Sequence, residues 1–142
     1  MEIVQIRRRV QVRLADIKRA SAERRERVAA AERAYESFLV NVATPTVTAV
    51  AQSLSAEGYP YKVTTPGKAV RMVSDRSGRT YLEIRLDTTA AEPQLVAEVG
   101  RERGSRVLAD ERPICQGIAI EAVTDEDLLA AILDVMAELI ER

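Results

Sequence analysis

The first 44 residues of the chain contain neither glycine nor proline. This segment is rich in Ala, Arg and Glu, which favour helices, and nothing in it would end a helix once one has started. We therefore predict a long N-terminal helix that reaches Pro45. An alternation of β-branched residues over positions 3–12 competes with this interpretation, because alternation is typical of a strand. The unbroken continuation into a helical segment favours the helix.

Apolar residues along this segment recur at alternating spacings of four and three, as they do along the contact line of a coiled coil. Arg7, Ser21 and Arg24 interrupt the repeat. From the remaining positions we predict a surface for self-association, formed by Ile3, Val10, Leu14, Ile17, Val28, Ala31 and Tyr35.

The length of the segment leads to the same prediction. A helix of about forty residues is roughly 60 Å long, whereas a compact body of about 100 residues has a radius of gyration near 13 Å. Much of the helix must therefore meet another helix or another chain, since an isolated amphipathic helix is only marginally stable in water. We predict a helical arm over residues 1–43, a head domain over residues 44–142, and a homo-oligomer, most simply a dimer, formed through the arm.

The residues after the arm predict a head domain that contains both helices and strands. Thr44 and Pro45 predict the cap and first turn of a helix that ends at Gly58, either as a separate helix or as the arm continuing past a kink. Apolar patterns predict strands over residues 61–65, 68–74, 80–87, 94–102 and 106–109. Asp110–Pro113 is then predicted to interrupt the sheet, and a last short strand is predicted over residues 114–121.

Two further patterns complete the predicted fold. Leu82, Ile84 and Leu86 should face the core while the intervening polar residues face water. Thr124 should cap a final amphipathic helix. The sequence thus predicts an α+β fold, with four or five antiparallel strands between a long N-terminal helix and a C-terminal helix. This outline is similar to that of small secretion-chaperone-type domains, with which the chain shares no motif.

Catalytic motifs are almost absent. The chain has no His and one Cys, Cys115, which removes the commonest general base and nearly excludes a structural zinc site. Asp75, Glu83 and Arg85 weakly resemble the metal-binding residues of restriction-type nucleases, but those usually carry Lys where Arg85 stands, and Arg cannot release a proton. The acidic run 125–127 is explained by its place at a helix N-terminus. We predict no enzyme, no cofactor and no metal.

Charge is distributed unevenly. Residues 1–33 hold ten basic and five acidic residues, a net charge of +5, and residues 34–142 carry a net charge of −6. A basic arm on an acidic body is compatible with nucleic acid, with an acidic partner, or with the acidic body of another copy. Interleaved acidic residues, and the lack of an aromatic residue before Tyr35, argue against nucleic acid.

Three arginines surround a predicted hairpin tip at Gly104 and Ser105. They form either a docking point for a carboxylate or phosphate of a partner, or a solvated turn whose charges discourage edge pairing. The candidate docking residues are Arg101, Arg103 and Arg106.

These observations favour one class of function. No segment has the length and apolarity of a secretory signal or a membrane span, and a single Cys suits a reducing compartment, so we expect a cytoplasmic protein without membrane contacts. Its strong excess of Arg over Lys suggests a bacterial source. We predict a non-enzymatic protein–protein interaction module that serves as adaptor, scaffold or chaperone-like accessory to an unidentified protein. The alternative is a nucleic-acid-associated protein that uses the basic arm.

Overall fold

The computed structural model describes residues 1–140. In chain order it contains α1 (Ile3–Phe38), a π-helical turn (Leu39–Ala43), α2 (Thr44–Ala56), β1 (Tyr61–Thr64), β2 (Val70–Ser74), β3 (Tyr81–Asp87), β4 (Gln94–Arg103), β5 (Arg106–Pro113), a 3-10 turn (Ile120–Ala122) and α3 (Asp125–Leu139). The predicted α+β fold is confirmed, with its long N-terminal helix, antiparallel sheet and C-terminal helix. Positions 3–12 are helical, so the competing strand interpretation is wrong.

α1 and α2 form one continuous helical segment. Pro45 has no amide hydrogen, and in an ordinary α-helix its ring would collide with the carbonyl of residue 41. The π-helical turn widens the helix just before Pro45, with the Thr44 N–H donating to the Leu39 carbonyl, and so relieves this collision. Thr44 keeps right-handed helical backbone angles and therefore does not cap a new helix. Of the two predicted alternatives, continuation of the arm is correct.

α2 ends where the sequence predicts. Gly58 adopts φ +93°, a left-handed conformation that other residues rarely take. The N–H of Tyr59 then donates to the Leu54 carbonyl at 2.8 Å and satisfies a carbonyl at the helix end. The chain is thereby turned from the helix into β1.

The five strands form an antiparallel meander in the order β1-β2-β3-β4-β5. At its centre Ile84 lies opposite Val70 on one side and Ala97 on the other. α2 and α3 contribute to the core cluster on this face of the sheet. Leu82 and Ile84 are buried there, and Leu86 is partly buried against the core cluster, as predicted. The largest fully buried side chains are Met72, Leu82, Ile84, Leu128, Ile132, Val47, Val70, Val96 and Val99.

The end of the sheet differs from the prediction. Asp110–Pro113 does not break β5, because this edge strand stays paired with β4 as far as Pro113, which lies opposite Val96. Proline is tolerated at such an edge, where no further strand needs its amide hydrogen. The strand predicted over 114–121 is wrong. Cys115 has φ +53°, which ends the extended backbone, and a 3-10 turn follows instead.

Candidate interaction surface

Of the predicted arm, residues 1–23 lie outside the rest of the molecule, and the name arm is kept for this part of α1. Every residue from 1 to 23 is exposed, and the first buried side chain along the helix is that of Tyr35. The helical residues of this segment span about 30 Å. Five apolar side chains lie within about 80° of one another around the helix axis, at about 100° per residue. This apolar stripe consists of Ile3, Ile6, Val10, Leu14 and Ile17, each between 46% and 82% exposed.

The arm is anchored to the head at the loop between β3 and β4. The guanidinium group of Arg24 donates hydrogen bonds of 2.7–3.1 Å to the carbonyl oxygens of residues 88, 90 and 91. One turn further on, Arg27 Nε lies 3.6 Å from a carboxylate oxygen of Glu92. Three hydrogen bonds from one planar guanidinium group fix the position at which the arm leaves the head.

The last part of α1 belongs to the core. The hydroxyl of Tyr35 donates a 2.5 Å hydrogen bond to the Lys68 carbonyl, and its ring centroid lies 6.2 Å from that of Phe38. Burial disfavours the tyrosinate and raises the pKa of Tyr35 to about 12, with the nearby carboxylate of Glu83 adding to the effect. The head therefore holds α1 by both apolar packing and hydrogen bonds.

The structure divides the predicted self-association surface into two parts. Val28 and Ala31 are half-buried along the anchored part, and Tyr35 is buried in the chain's own core, where a second chain cannot reach it. The other four predicted residues are exposed on the arm, namely Ile3, Val10, Leu14 and Ile17.

Ile6 belongs to the same stripe and is absent from the predicted set. A repeat of 3.5 residues skips it, whereas the 3.6-residue period of a straight α-helix places it beside Val10. At about 100° per residue, the stripe lies on nearly the same side of the helix as Arg24 and Tyr35. The helix face that packs on the head therefore continues past the head.

The three arginines of the β4–β5 hairpin share one tip, as predicted. Arg101 and Arg103 end β4, and Arg106 begins β5 directly opposite Arg103. The chain reverses through Gly104, which has φ +62°. Arg112 holds the pKa of the Glu138 carboxyl below its ordinary value, and Arg101 contributes to this shift, so the hairpin lies close to the end of α3. A role for these arginines in partner docking stays a prediction.

The polar face of the sheet is closed by its own charged side chains. Glu83 accepts hydrogen bonds from Arg71 at 3.0 Å and from Arg85 at 3.3 Å, and is only 8% exposed. Arg85 also contacts the carboxylates of Glu98 and Glu111. This face is polar as predicted, but Glu83 is shielded from water by its ion pairs.

The residues considered for a nuclease site do not come together in one cluster. Asp75 lies beyond the end of β2, with its carboxylate 3.1 Å from the ammonium group of Lys62, whereas Glu83 is paired with arginines in the middle of the sheet. Within residues 1–140, no group of three or more His, Cys, Asp or Glu side chains has the arrangement needed to hold a metal ion.

The remaining candidate residues have structural roles. Cys115 is half-buried against the core, and burial raises the pKa of its thiol, which lowers its reactivity. Asp127 forms a capping box with Thr124. The Asp127 N–H donates to the Thr124 hydroxyl at 3.2 Å, and the Thr124 N–H donates to the Asp127 carboxylate at 3.0 Å. The predicted cap at Thr124 is confirmed.

Comparisons with protein-family models, with curated proteins and with solved structures give no match to this chain. Over the described part of the chain, no helix is both long and apolar enough to cross a membrane.

Proposed function

We propose that this protein is a non-enzymatic interaction module that self-associates through its N-terminal arm. The observation that carries the proposal is the apolar stripe, which lies on the head-contacting face of α1 and reaches about 30 Å beyond the last head contact at Arg24. Scattered apolar residues on a surface need no explanation, but a contiguous apolar row is typical of an interaction site.

The physics of isolated helices supports this proposal. A helix of about twenty residues without tertiary contacts is marginal in water, even with favourable composition. The first 23 residues make no contact that buries a side chain within their own chain. Packing of the stripe against a second chain supplies the stabilisation that the arm lacks by itself.

The charged residues of the head support a role without catalysis. Its most buried carboxylate, Glu83, is neutralised by two arginines, and Glu138 is held by Arg112 at 2.6 Å and 2.9 Å. Both carboxylates are therefore held in ion pairs within the head. In this proposal the protein is a cytoplasmic, bacterial adaptor, scaffold or chaperone-like accessory, with the arginine-bearing hairpin as the docking point for a second protein.

The mass in solution tests self-association. Light scattering on the full chain, at several concentrations, should give a multiple of 15.7 kDa. A chain lacking residues 1–23 keeps Arg24 and Arg27, which anchor α1, and should be a folded monomer. A full chain that stays monomeric at every concentration would exclude the proposal.

A second candidate function rests on the exposed basic residues of the arm, which include Arg7, Arg8, Arg9 and Arg13. Binding to phosphate backbones through such residues would lack sequence preference and would weaken steeply with salt. A titration of duplex DNA at two salt concentrations tests it. No shift at low salt would exclude this alternative.

A further inference from the structure

A groove of about 600 Å³ runs along the outer surface between α2 and α3. Its floor includes the buried side chains of Val50 and Leu54. Its α3 wall presents Leu129 and Leu133, which are 39% and 54% exposed. Two exposed leucines beside an apolar floor make a contiguous patch of the kind that binds another apolar surface.

The dimensions of the groove match those of the arm. The groove is lined along α3 from Asp125 to Met136, a span of 12 residues, and the apolar stripe from Ile3 to Ile17 covers 15 residues. At 1.5 Å per residue, these spans are about 18 Å and about 22 Å long. One helical stripe can therefore occupy the groove along its whole length, as amphipathic helices do in helix-in-groove complexes.

The charges of the two surfaces are opposite. At about 100° per residue, four basic residues flank the apolar stripe, two on each side. They are Arg7 and Lys18 on one side and Arg9 and Arg13 on the other. The groove is bordered by exposed acidic residues, Glu57 at the end of α2 and Asp125 and Glu126 at the start of α3. A docked arm would place basic flanks against an acidic border.

The arm cannot reach the groove of its own chain. α2 forms one wall of the groove, and α1 continues that same helix through the π-helical turn without a reversal. The arm therefore leads away from the groove along the helix direction. Only a second molecule can bring an arm to it.

We propose that the arm of one copy docks in the α2–α3 groove of a second copy, with its apolar stripe against Leu129 and Leu133. This proposal rests on the proposed self-association and names its acceptor surface. If two copies exchange arms about a two-fold axis, the assembly closes as a dimer with two identical contacts, whereas one-way docking would extend into chains.

The first test changes the groove in the full chain. Leu133→Asp places a charge at a half-exposed wall position, so the head should still melt cooperatively. It should shift the oligomer to monomer, with a rise of at least about tenfold in the dissociation constant for each contact. The control is Val40→Asp, at an apolar residue that is 69% exposed and does not line the groove. This control should leave the mass unchanged.

The second test mixes two defective chains. A chain carrying Leu133→Asp has an intact arm, and a chain carrying Leu14→Asp and Ile17→Asp has an intact groove. Each alone should be monomeric. Their mixture should form a heterodimer through one arm and one groove, detected by mass or by co-purification of a tagged copy.

The outcomes separate this proposal from the one on which it rests. If Leu133→Asp stays oligomeric while the arm variant dissociates, the arm contacts a surface other than the groove, so the groove proposal is overturned and self-association stands. If the unmodified chain is monomeric at every concentration, both the self-association proposal and the groove proposal fail.

If Leu133→Asp does not fold, the double variant Glu57→Lys with Glu126→Lys provides a second test of the groove. This pair should weaken the oligomer at low salt, and an unchanged mass would overturn the groove proposal.

Discussion

Replacing Leu14 and Ile17 by aspartate tests the function of the arm most directly. Leu14 is 49% exposed and Ile17 is 48% exposed, so about half of each side chain remains to be buried by a second molecule. Complete burial of such a side chain contributes about 1.5–3 kcal/mol, so the remaining half contributes about 1 kcal/mol for each residue.

The expected effect on assembly follows from these values. An arm loses about 2 kcal/mol of burial, and a dimer with two arm contacts loses about 4 kcal/mol. At 1.4 kcal/mol for each factor of ten, the dissociation constant of the dimer rises about a thousandfold. Burying two unpaired carboxylates would add to the cost, so this factor is a lower bound. A dimer that is complete at micromolar concentration should become monomeric.

The matched control places the same two charges on another side of the same helical segment. Val4 and Val12 are 74% and 57% exposed and lie about 120° and 160° round the helix from the centre of the stripe. The pair Val4→Asp and Val12→Asp changes net charge equally and also replaces two exposed apolar side chains of the same segment, but it leaves the stripe intact. Light scattering over a concentration series should show monomers only for the Leu14 and Ile17 pair. Equal effects of both pairs, or an unchanged mass for both, would refute the role of the stripe.

Three further predictions concern the head. Ile84→Asp should abolish cooperative melting, because it loses core packing and buries a charge at a site that is 1% exposed; near-normal melting would contradict the assigned sheet faces. Gly100→Ala should lower the free energy of unfolding by about 1–3 kcal/mol, because the new methyl group would lie 2.1 Å from the Tyr81 ring. The control is Gly78→Ala, whose methyl group meets no atom within 4 Å, and its free energy of unfolding should stay within about 0.5 kcal/mol of that of the unmodified chain. Tyr35→Phe should lower the free energy of unfolding by about 1 kcal/mol at pH 7. The difference between the variant and the unmodified chain should become smaller above pH 10. The pKa of Tyr35 is raised in the folded state to about 12, so its stabilising contribution is complete below pH 10 and is lost between pH 10 and 12; a deficit that stays constant over that range would contradict the shift.

The helices and the first four strands could be predicted because each has a strong local signal. The lack of glycine and proline before Pro45 predicts the long helix despite the β-branched residues at its start. Leu82, Ile84 and Leu86 predict a half-buried strand by simple alternation. The extent of β5 could not be predicted in this way. Most of its residues are exposed and no apolar alternation marks them, so pairing with β4 defines the strand.

The interaction surface could be predicted only in part, because an apolar pattern does not specify what covers it. The repeat that includes Leu14 resumes after Ser21 and Arg24 and includes Tyr35, yet Leu14 lies in solvent and Tyr35 in the core. The groove could not be predicted from the sequence either, because its exposed leucines have the pattern of core residues. Leu129 and Leu133 follow the helical period of α3 and suggest core residues, but α3 is apolar over more of its circumference than the sheet can cover.

The basic residues that flank the stripe are shared by the two proposed functions of the arm, and each of these residues can serve only one of the two at a time. In a docked arm, Arg9 and Arg13 lie against the acidic border of the groove, and a phosphate backbone would need the same side chains facing outward. The head as a whole also repels nucleic acid, since residues 34–142 carry a net charge of −6. Nucleic acid bound through Arg9 and Arg13 must therefore displace the second protein copy, whereas Arg8, about 160° round the helix from the centre of the stripe, still faces solvent in a docked arm. It follows that DNA binding through Arg9 and Arg13 belongs to the monomer, so added DNA should convert oligomers to monomers at low salt, and an oligomer that binds DNA without dissociating would instead indicate binding through Arg8.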